Sequence, residues 1–79
     1  MWYVYILKSQ QDNNLYIGST NDLRRRLHEH NTGHVTATQP RLPFTLESYI
    51  AVRSEEKARE LEIYFKSGSG RTILRKRIL

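Results

Sequence analysis

The chain has 79 residues, a length that predicts one small domain burying only about 60% of the surface its unfolded form exposes. It contains no cysteine, which excludes disulfides, thiolate metal centres and a cysteine nucleophile, and with no histidine-rich tract a structural zinc is not expected. Thirteen Lys and Arg against eight Asp and Glu give a formal charge of +5, a balance that suits a polyanionic partner or plain solubility.

The opening run Met1–Leu7 is too short to span a membrane and lacks the charged lead and cleavage pattern of a signal peptide. The reading is a soluble chain in the reducing cytoplasm. Residues 2–8, rich in aromatic and β-branched types, predict a strand. Gln10–Asn14 is a polar turn cluster, and Leu15–Gly18 resumes the apolar pattern, which together predict a β-hairpin. Asn21 and Asp22 are good helix caps, and Leu23 and Leu27 then mark a helix of about three turns that fades near Asn31 and Gly33. Residues 32–43 read as a loop. From Phe44 to Val52, Phe44, Leu46, Ile50 and Val52 fall on one face of a third strand. Ser54 opens a second helix with Ala58, Leu61 and Phe65 as its apolar stripe; Ser67–Gly70 breaks it, and Arg71–Leu79 forms a last helix with Ile73, Leu74 and Ile78 inward. The order ββαβαα predicts an α+β fold, a small three-stranded antiparallel sheet flanked by helices.

The positive charge is uneven. Arg24, Arg25 and Arg26 form one block; Arg71, Arg75, Lys76 and Arg77 form another in a tail with no acid after Glu62. No segment pairs a basic face with a broad apolar one, so a membrane surface fits less well than nucleic acid.

Tyr5 and Tyr16 come from opposite strands of the hairpin and can share a face, although tyrosine in a strand is commonly packing material. Asp22, Arg26 and His30 recur at every fourth position and form a polar stripe beside Leu23 and Leu27; the plain alternative is an Asp22–Arg26 surface pair with a solvated histidine. Glu62 borders the buried stripe of the second helix, where a carboxylate is costly unless it pairs with Lys66 four residues on or binds a metal. His28 falls on another helix face, and Gly33 interrupts any pairing of His30 with His34.

These residues resemble a known family. Tyr3-Val4-Tyr5 stands where the GIY-YIG nuclease superfamily has its GIY, Tyr16-Ile17-Gly18 matches YIG, and Ser19 through Leu27 resembles the run that follows it, with His30-Asn31, Ala58 through Lys66 and Ser67–Arg71 also fitting. Nearly the whole chain is covered, and it closely resembles the small stand-alone bacterial members. One departure is visible: Tyr3 occupies the place of the first glycine. The resemblance implies Tyr5, Tyr16, Arg26, His30 and Glu62 gathered on one surface as a site that hydrolyses DNA phosphodiester bonds in repair or recombination. It also implies a single Mg²⁺ or Mn²⁺ held by Glu62, and Arg26 on the phosphate. Tyr5 is the expected base, with Tyr16 nearly as good a choice. Lys66 and the flanking basic residues (Arg24, Arg25, Arg71, Arg75, Lys76, Arg77) are expected to grip the backbone. Partners follow: DNA, or RNA, bound by a monomer or weak homodimer and no membrane. The rival readings are a non-catalytic nucleic-acid-binding module with the same fold and an interaction subunit docking through its C-terminal basic helix.

Overall fold

The aromatic and β-branched residues of the N-terminal run form β1 (Trp2–Ser9), which turns back into β2 (Leu15–Thr20). The computed structural model describes residues 1–79. Ser9 organises the turn: its Oγ accepts from the amides of Gln11 and Asp12 at 3.1 and 3.2 Å. Asn13 takes the left-handed conformation at φ 60°, which asparagine tolerates better than most residues. β3 (Phe44–Val52) pairs with the other edge of β1, giving the antiparallel order β2-β1-β3.

With a strand on either side and helices on both faces, β1 has no solvent face. Val4, Tyr5, Ile6 and Leu7 are all buried. Val4 and Ile6 join Ile17, Ala58, Phe65 and Leu74 in an aliphatic cluster under the C-terminal helices. Tyr5 and Leu7 point the other way and join Phe44, with Tyr16, Leu23, Leu27 and Leu46 packed around them.

β3 departs from the expected single apolar face. Its pairing with β1 slips between Ile6 and Leu7: Ile6 faces Ser48, but Leu7 faces Leu46. The bulge adds one residue to β3, and one extra residue reverses which side the following residues face. Phe44 and Leu46 therefore pack with Tyr5 and Leu7, whereas Ile50 and Val52 pack on the opposite cluster.

α1 (Leu23–Asn31) is capped by Asp22, whose carboxylate accepts from the Arg25 amide at 3.0 Å. Gly33 leaves the helix with φ 80°, a conformation that suits glycine. A short 3₁₀ turn, Gln39–Arg41, follows in the connection to β3. α2 (Glu55–Lys66) starts from Ser54, which accepts from the Lys57 amide at 3.2 Å.

The Ser67–Gly70 stretch does end α2, but it also begins the next helix, α3 (Gly68–Ile73), which runs on into a π-helical turn at Leu74–Ile78. Ser67 Oγ accepts from the Gly70 amide at 3.1 Å and so caps α3. Gly70 is needed for closeness: a Cβ there would overlap the Tyr64 carbonyl and the Phe65 backbone of α2. The helix thus starts three residues before the expected Arg71, and against the expectation that both face inward, Ile73 lies at the surface while Leu74, about a third of a turn on, is fully buried. No helix is long and apolar enough to cross a membrane.

Candidate active site

The register of the hairpin decides what can meet. Tyr5 pairs with Gly18 and Leu7 with Tyr16, so Tyr5, Tyr16 and the bare backbone of Gly18 share the α1 side of the sheet. A Cβ at Gly18 would overlap the Tyr5 hydroxyl, so the glycine leaves the space the phenol fills. From α1, His30 comes down on the same spot. Its ring is fully buried, 5.6 Å from Tyr5 and 5.1 Å from Tyr16 between centroids, both edge-on.

A hydrogen-bonded row runs through this cluster. The Tyr5 hydroxyl lies 2.9 Å from His30 Nε2. His30 Nδ1 lies 2.9 Å from Oγ1 of Thr38, a fully buried residue of the connection to β3. Thr38 Oγ1 in turn donates to the Val35 carbonyl at 3.3 Å. No buried side-chain nitrogen or oxygen in the molecule lacks a partner. The histidine expected as solvated in the plain alternative is therefore a core residue: α1 turns it toward the sheet rather than along the Arg26 surface.

Burial dominates the ionisation of this pair. It raises the Tyr5 phenol above its ordinary value, against the opposing pull of the Arg26 guanidinium, while Tyr16 and Glu62 add a smaller push upward. Burial, helped by the charge of Arg26, lowers His30 to about 4. Both side chains are neutral at pH 7. Arg26 is held more firmly charged through its contact with the Tyr5 hydroxyl and its bond to Glu29. That bond, 3.2 Å to Glu29 Oε1, stands in place of the Asp22–Arg26 pair of the plain alternative, because Asp22 is occupied as the helix cap.

Glu62 reaches the same neighbourhood from the other side. Along β2, Tyr16 and Gly18 face α1, while Ile17 packs in the cluster under α2 and Ser19 bonds across to α2. Ser19 Oγ donates to Glu62 Oε1 at 2.7 Å, and Lys66 holds Oε2 at 2.8 Å. The five residues expected on one surface are thus four on the α1 side plus Glu62 across the edge strand. The period-2 alternation of β2 is the reason. Glu62 is still close enough for its charge to act on the Tyr5 phenol, and the Glu62–Lys66 pair anticipated from spacing is present.

The basic residues separate into groups. Lys66, Arg71 and Arg75 line a cleft of about 560 Å³ together with Tyr16, Lys8 and Glu47. Arg24 borders a different depression with Tyr3 and Tyr49, and Arg25 bonds to Asn21 at 3.2 Å. Lys76 and Arg77 are exposed on the last turn and line neither. The two basic blocks therefore do not line a common cleft. Tyr3, in the place of the first glycine of the motif, packs edge-on against Tyr49 at 5.9 Å.

Three neighbours of the site escaped the sequence reading. Ser19 lay within the motif but had no assigned partner. Lys8 lay on a strand read only for its apolar residues. Thr38 sits in a connection without periodicity, and no pattern marked it.

The donor set around Glu62 suits a hard, oxygen-seeking ion: a half-buried carboxylate with the Ser19 hydroxyl beside it. No three His, Cys, Asp or Glu side chains converge anywhere, so an ion here would rest on one carboxylate with its shell completed by water and substrate oxygens, an arrangement Mg²⁺ accepts. Binding would require Lys66 to release Glu62 Oε2.

An antiparallel hairpin presents two tyrosines to a helix-borne histidine and arginine, with a carboxylate across its edge, in a small α+β domain. The sequence profile of the GIY-YIG catalytic domain matches residues 1–76, and the chain belongs to this family. It is 42% identical over 65 residues to UPF0213 protein SAG0778 of Streptococcus agalactiae, covering 81% of this chain and 73% of that protein. With UPF0213 protein SpyM50708 of Streptococcus pyogenes the identity is 39% over 71 residues, covering 89% and 76%. The solution NMR structure of UPF0213 protein BH0048 from Bacillus halodurans superposes with a TM-score of 0.57 at 36% identity, over 94% of this chain and 82% of that one.

Proposed function

We propose that the chain is a metal-dependent endonuclease that hydrolyses phosphodiester bonds in DNA, in the service of repair or recombination. The buried row from Tyr5 to His30, flanked by Arg26 and Tyr16, carries this reading. Attack on a phosphodiester needs a water stripped of a proton and positive charge around the developing phosphorane. Tyr5 is the base. Because the resting phenol is neutral, it takes the proton of the water as its own proton passes to His30 Nε2, 2.9 Å away. Tyr16 orients the water or the phenol from its place beside both rings. Arg26, a planar and permanently charged donor, holds a non-bridging phosphate oxygen. Glu62, with Ser19 beside it, would hold one Mg²⁺ or Mn²⁺, which when bound supplies Lewis-acid charge to the phosphate and the leaving 3′-oxygen. Lys66, Arg71 and Arg75, with Lys8, offer the flanking phosphates a cleft next to Tyr16.

One observation favours a second reading, a nucleic-acid-binding module without turnover. Glu62 is already satisfied by Lys66 and Ser19 and needs no ion to be stable. Labelled duplex, single-stranded, nicked and branched DNA, and RNA, incubated with the protein in Mg²⁺, Mn²⁺ or EDTA, separates the two. Cutting that needs metal and disappears in Glu62→Ala and Arg26→Ala establishes the nuclease. Salt-sensitive binding with no cutting in any metal establishes the module.

A further inference from the structure

We infer that Thr38 is a positioning residue that fixes the tautomer of His30, so that the lone pair of Nε2 faces the Tyr5 hydroxyl. The inference rests on the nuclease reading for its use in catalysis, but the fixed tautomer is a property of the folded chain.

A hydroxyl has one hydrogen to give. Thr38 has the Val35 carbonyl as an acceptor 3.3 Å away, an oxygen that also takes the amides of Thr38 and Gln39 at 3.1 and 3.0 Å, and the buried Tyr5 hydroxyl meets a single acceptor, His30 Nε2. With its hydrogen on the carbonyl, Thr38 can only accept toward His30 Nδ1, 2.9 Å away. Nδ1 must then carry the ring hydrogen. A neutral imidazole has one N–H, so Nε2 is bare, and the 2.9 Å contact with Tyr5 has the phenol as donor. The Thr38 hydroxyl at one end of the row and the Tyr5 proton at the other ask for the same tautomer. The opposite tautomer would place hydrogen on Nε2 and ask the phenol to accept it, leaving the Tyr5 proton without its acceptor and His30 Nδ1 facing a hydroxyl turned away from it.

The same row carries the proton during attack. As the water proton moves to the Tyr5 oxygen, the Tyr5 proton moves to Nε2. The imidazolium so formed keeps its Nδ1–H on Thr38. When His30 returns the proton through Tyr5, the starting tautomer is restored.

Thr38 is itself held from outside the site. The 3₁₀ turn that follows it is tied to the hairpin: Ser9 Oγ donates to the Arg41 carbonyl at 2.6 Å, and Arg41 Nε donates to Asp12 at 2.8 Å. This fastening makes the hydroxyl a fixed point rather than a rotor on a free loop.

Long-range ¹⁵N–¹H correlation on ¹⁵N-labelled protein at pH 7 reads the His30 ring directly, without any substrate. The expected wild-type spectrum shows Nδ1 protonated and Nε2 bare. Thr38→Ser keeps that pattern, while Thr38→Val loses it to the other tautomer or to a mixture. In parallel, cleavage by Thr38→Val falls by roughly 10- to 100-fold, part of the about 10²–10⁴-fold that a placed acid–base group supplies. Thr38→Ser retains most of the rate. A wild-type ring protonated on Nε2 overturns the inference by itself, even if Thr38→Val fails to fold. So does a folded Thr38→Val with an unchanged ring spectrum. If the wild type has the expected tautomer and cuts no nucleic acid, the nuclease reading falls and the tautomer lock stands.

Discussion

The two faces of the sheet are built on opposite plans. Under α2 and α3, Val4, Ile6, Ile17, Ala58, Phe65 and Leu74 meet with no polar side chain in the cluster. Under α1, the same strands send Tyr5, Leu7 and Tyr16 against Phe44 and a buried histidine whose two nitrogens are both engaged. One face holds the chain together by apolar burial. The other accepts the cost of buried polar groups and offsets it with hydrogen bonds that also point at a candidate reaction. A change on the first face should reach activity only through stability, whereas a change on the second should reach activity first.

The largest expected effect is on the second face. Tyr5→Phe keeps the ring over Gly18 and removes only the hydroxyl. Under the proposed mechanism, cleavage falls by about 10²–10⁴-fold, the range a general base contributes. Stability falls by only about 1–3 kcal/mol, because His30 Nε2 is left buried without a donor. Steady-state cleavage alongside urea denaturation checks both numbers. A Tyr5→Phe protein that cuts at the wild-type rate removes Tyr5 as base.

Leu74→Ala tests the opposite face. Leu74 is fully buried at the start of the last turn, and truncation opens a cavity in the aliphatic cluster. The expected loss is about 2–5 kcal/mol, a large part of the stability of a small domain. Measured on the fraction that remains folded, the cleavage rate is unchanged. A rate that falls more than the folded fraction would mean that the two faces are coupled.

Next comes pH. His30 is lowered to about 4 by burial, whereas the unfolded chain has an ordinary histidine near 6.5. Between those values the unfolded state binds more protons, so stability rises with pH across the window. The contribution is complete above about 6.5 and is lost as pH falls toward about 4. The shift corresponds to at most about 3 kcal/mol. His30→Gln should remove this part of the acid sensitivity, seen as a smaller drop in melting temperature between pH 7 and pH 4 than the wild type shows. Equal drops would place the titration elsewhere.

How far the sequence carried these arguments differs by face. Element order, the caps at Asp22 and Ser54 and the shared face of Tyr5 and Tyr16 were legible, because they depend on short-range periodicity and on turn chemistry. The split of β3 was not. Phe44, Leu46, Ile50 and Val52 alternate without a break, and only the extra residue opposite Ile6 and Leu7 sends them to different cores. The Gly68–Gly70 start of α3 was hidden for a related reason: glycines that look like a breaker are there to let α3 touch the α2 backbone. Of the candidate site, the five titratable residues were named together only through the family resemblance, and their sides of the sheet were not legible at all. Spacing could not find Thr38, whose role depends on a hydrogen bond across eight residues of irregular chain.

The smallest expected effect concerns the fastening between the hairpin turn and the 32–43 connection. Arg41 pairs with Asp12 and also lies over the Phe44 ring at 5.4 Å. Its guanidinium holds the Asp12 carboxyl below the usual range. Asp12 is solvent-facing, so its pairing should be screened by salt, whereas the stacking on Phe44 should persist. Arg41→Ala loses both and is expected to cost about 0.5–1 kcal/mol through the ring contact, little changed by added salt. Asp12→Asn leaves the stack in place, and its effect should be smaller and vanish in high salt. Thermal melts of both variants at low and high salt decide the order. If Asp12→Asn proves the more damaging, the ion pair rather than the ring holds the connection, and the position of Thr38 would then depend on ionic strength.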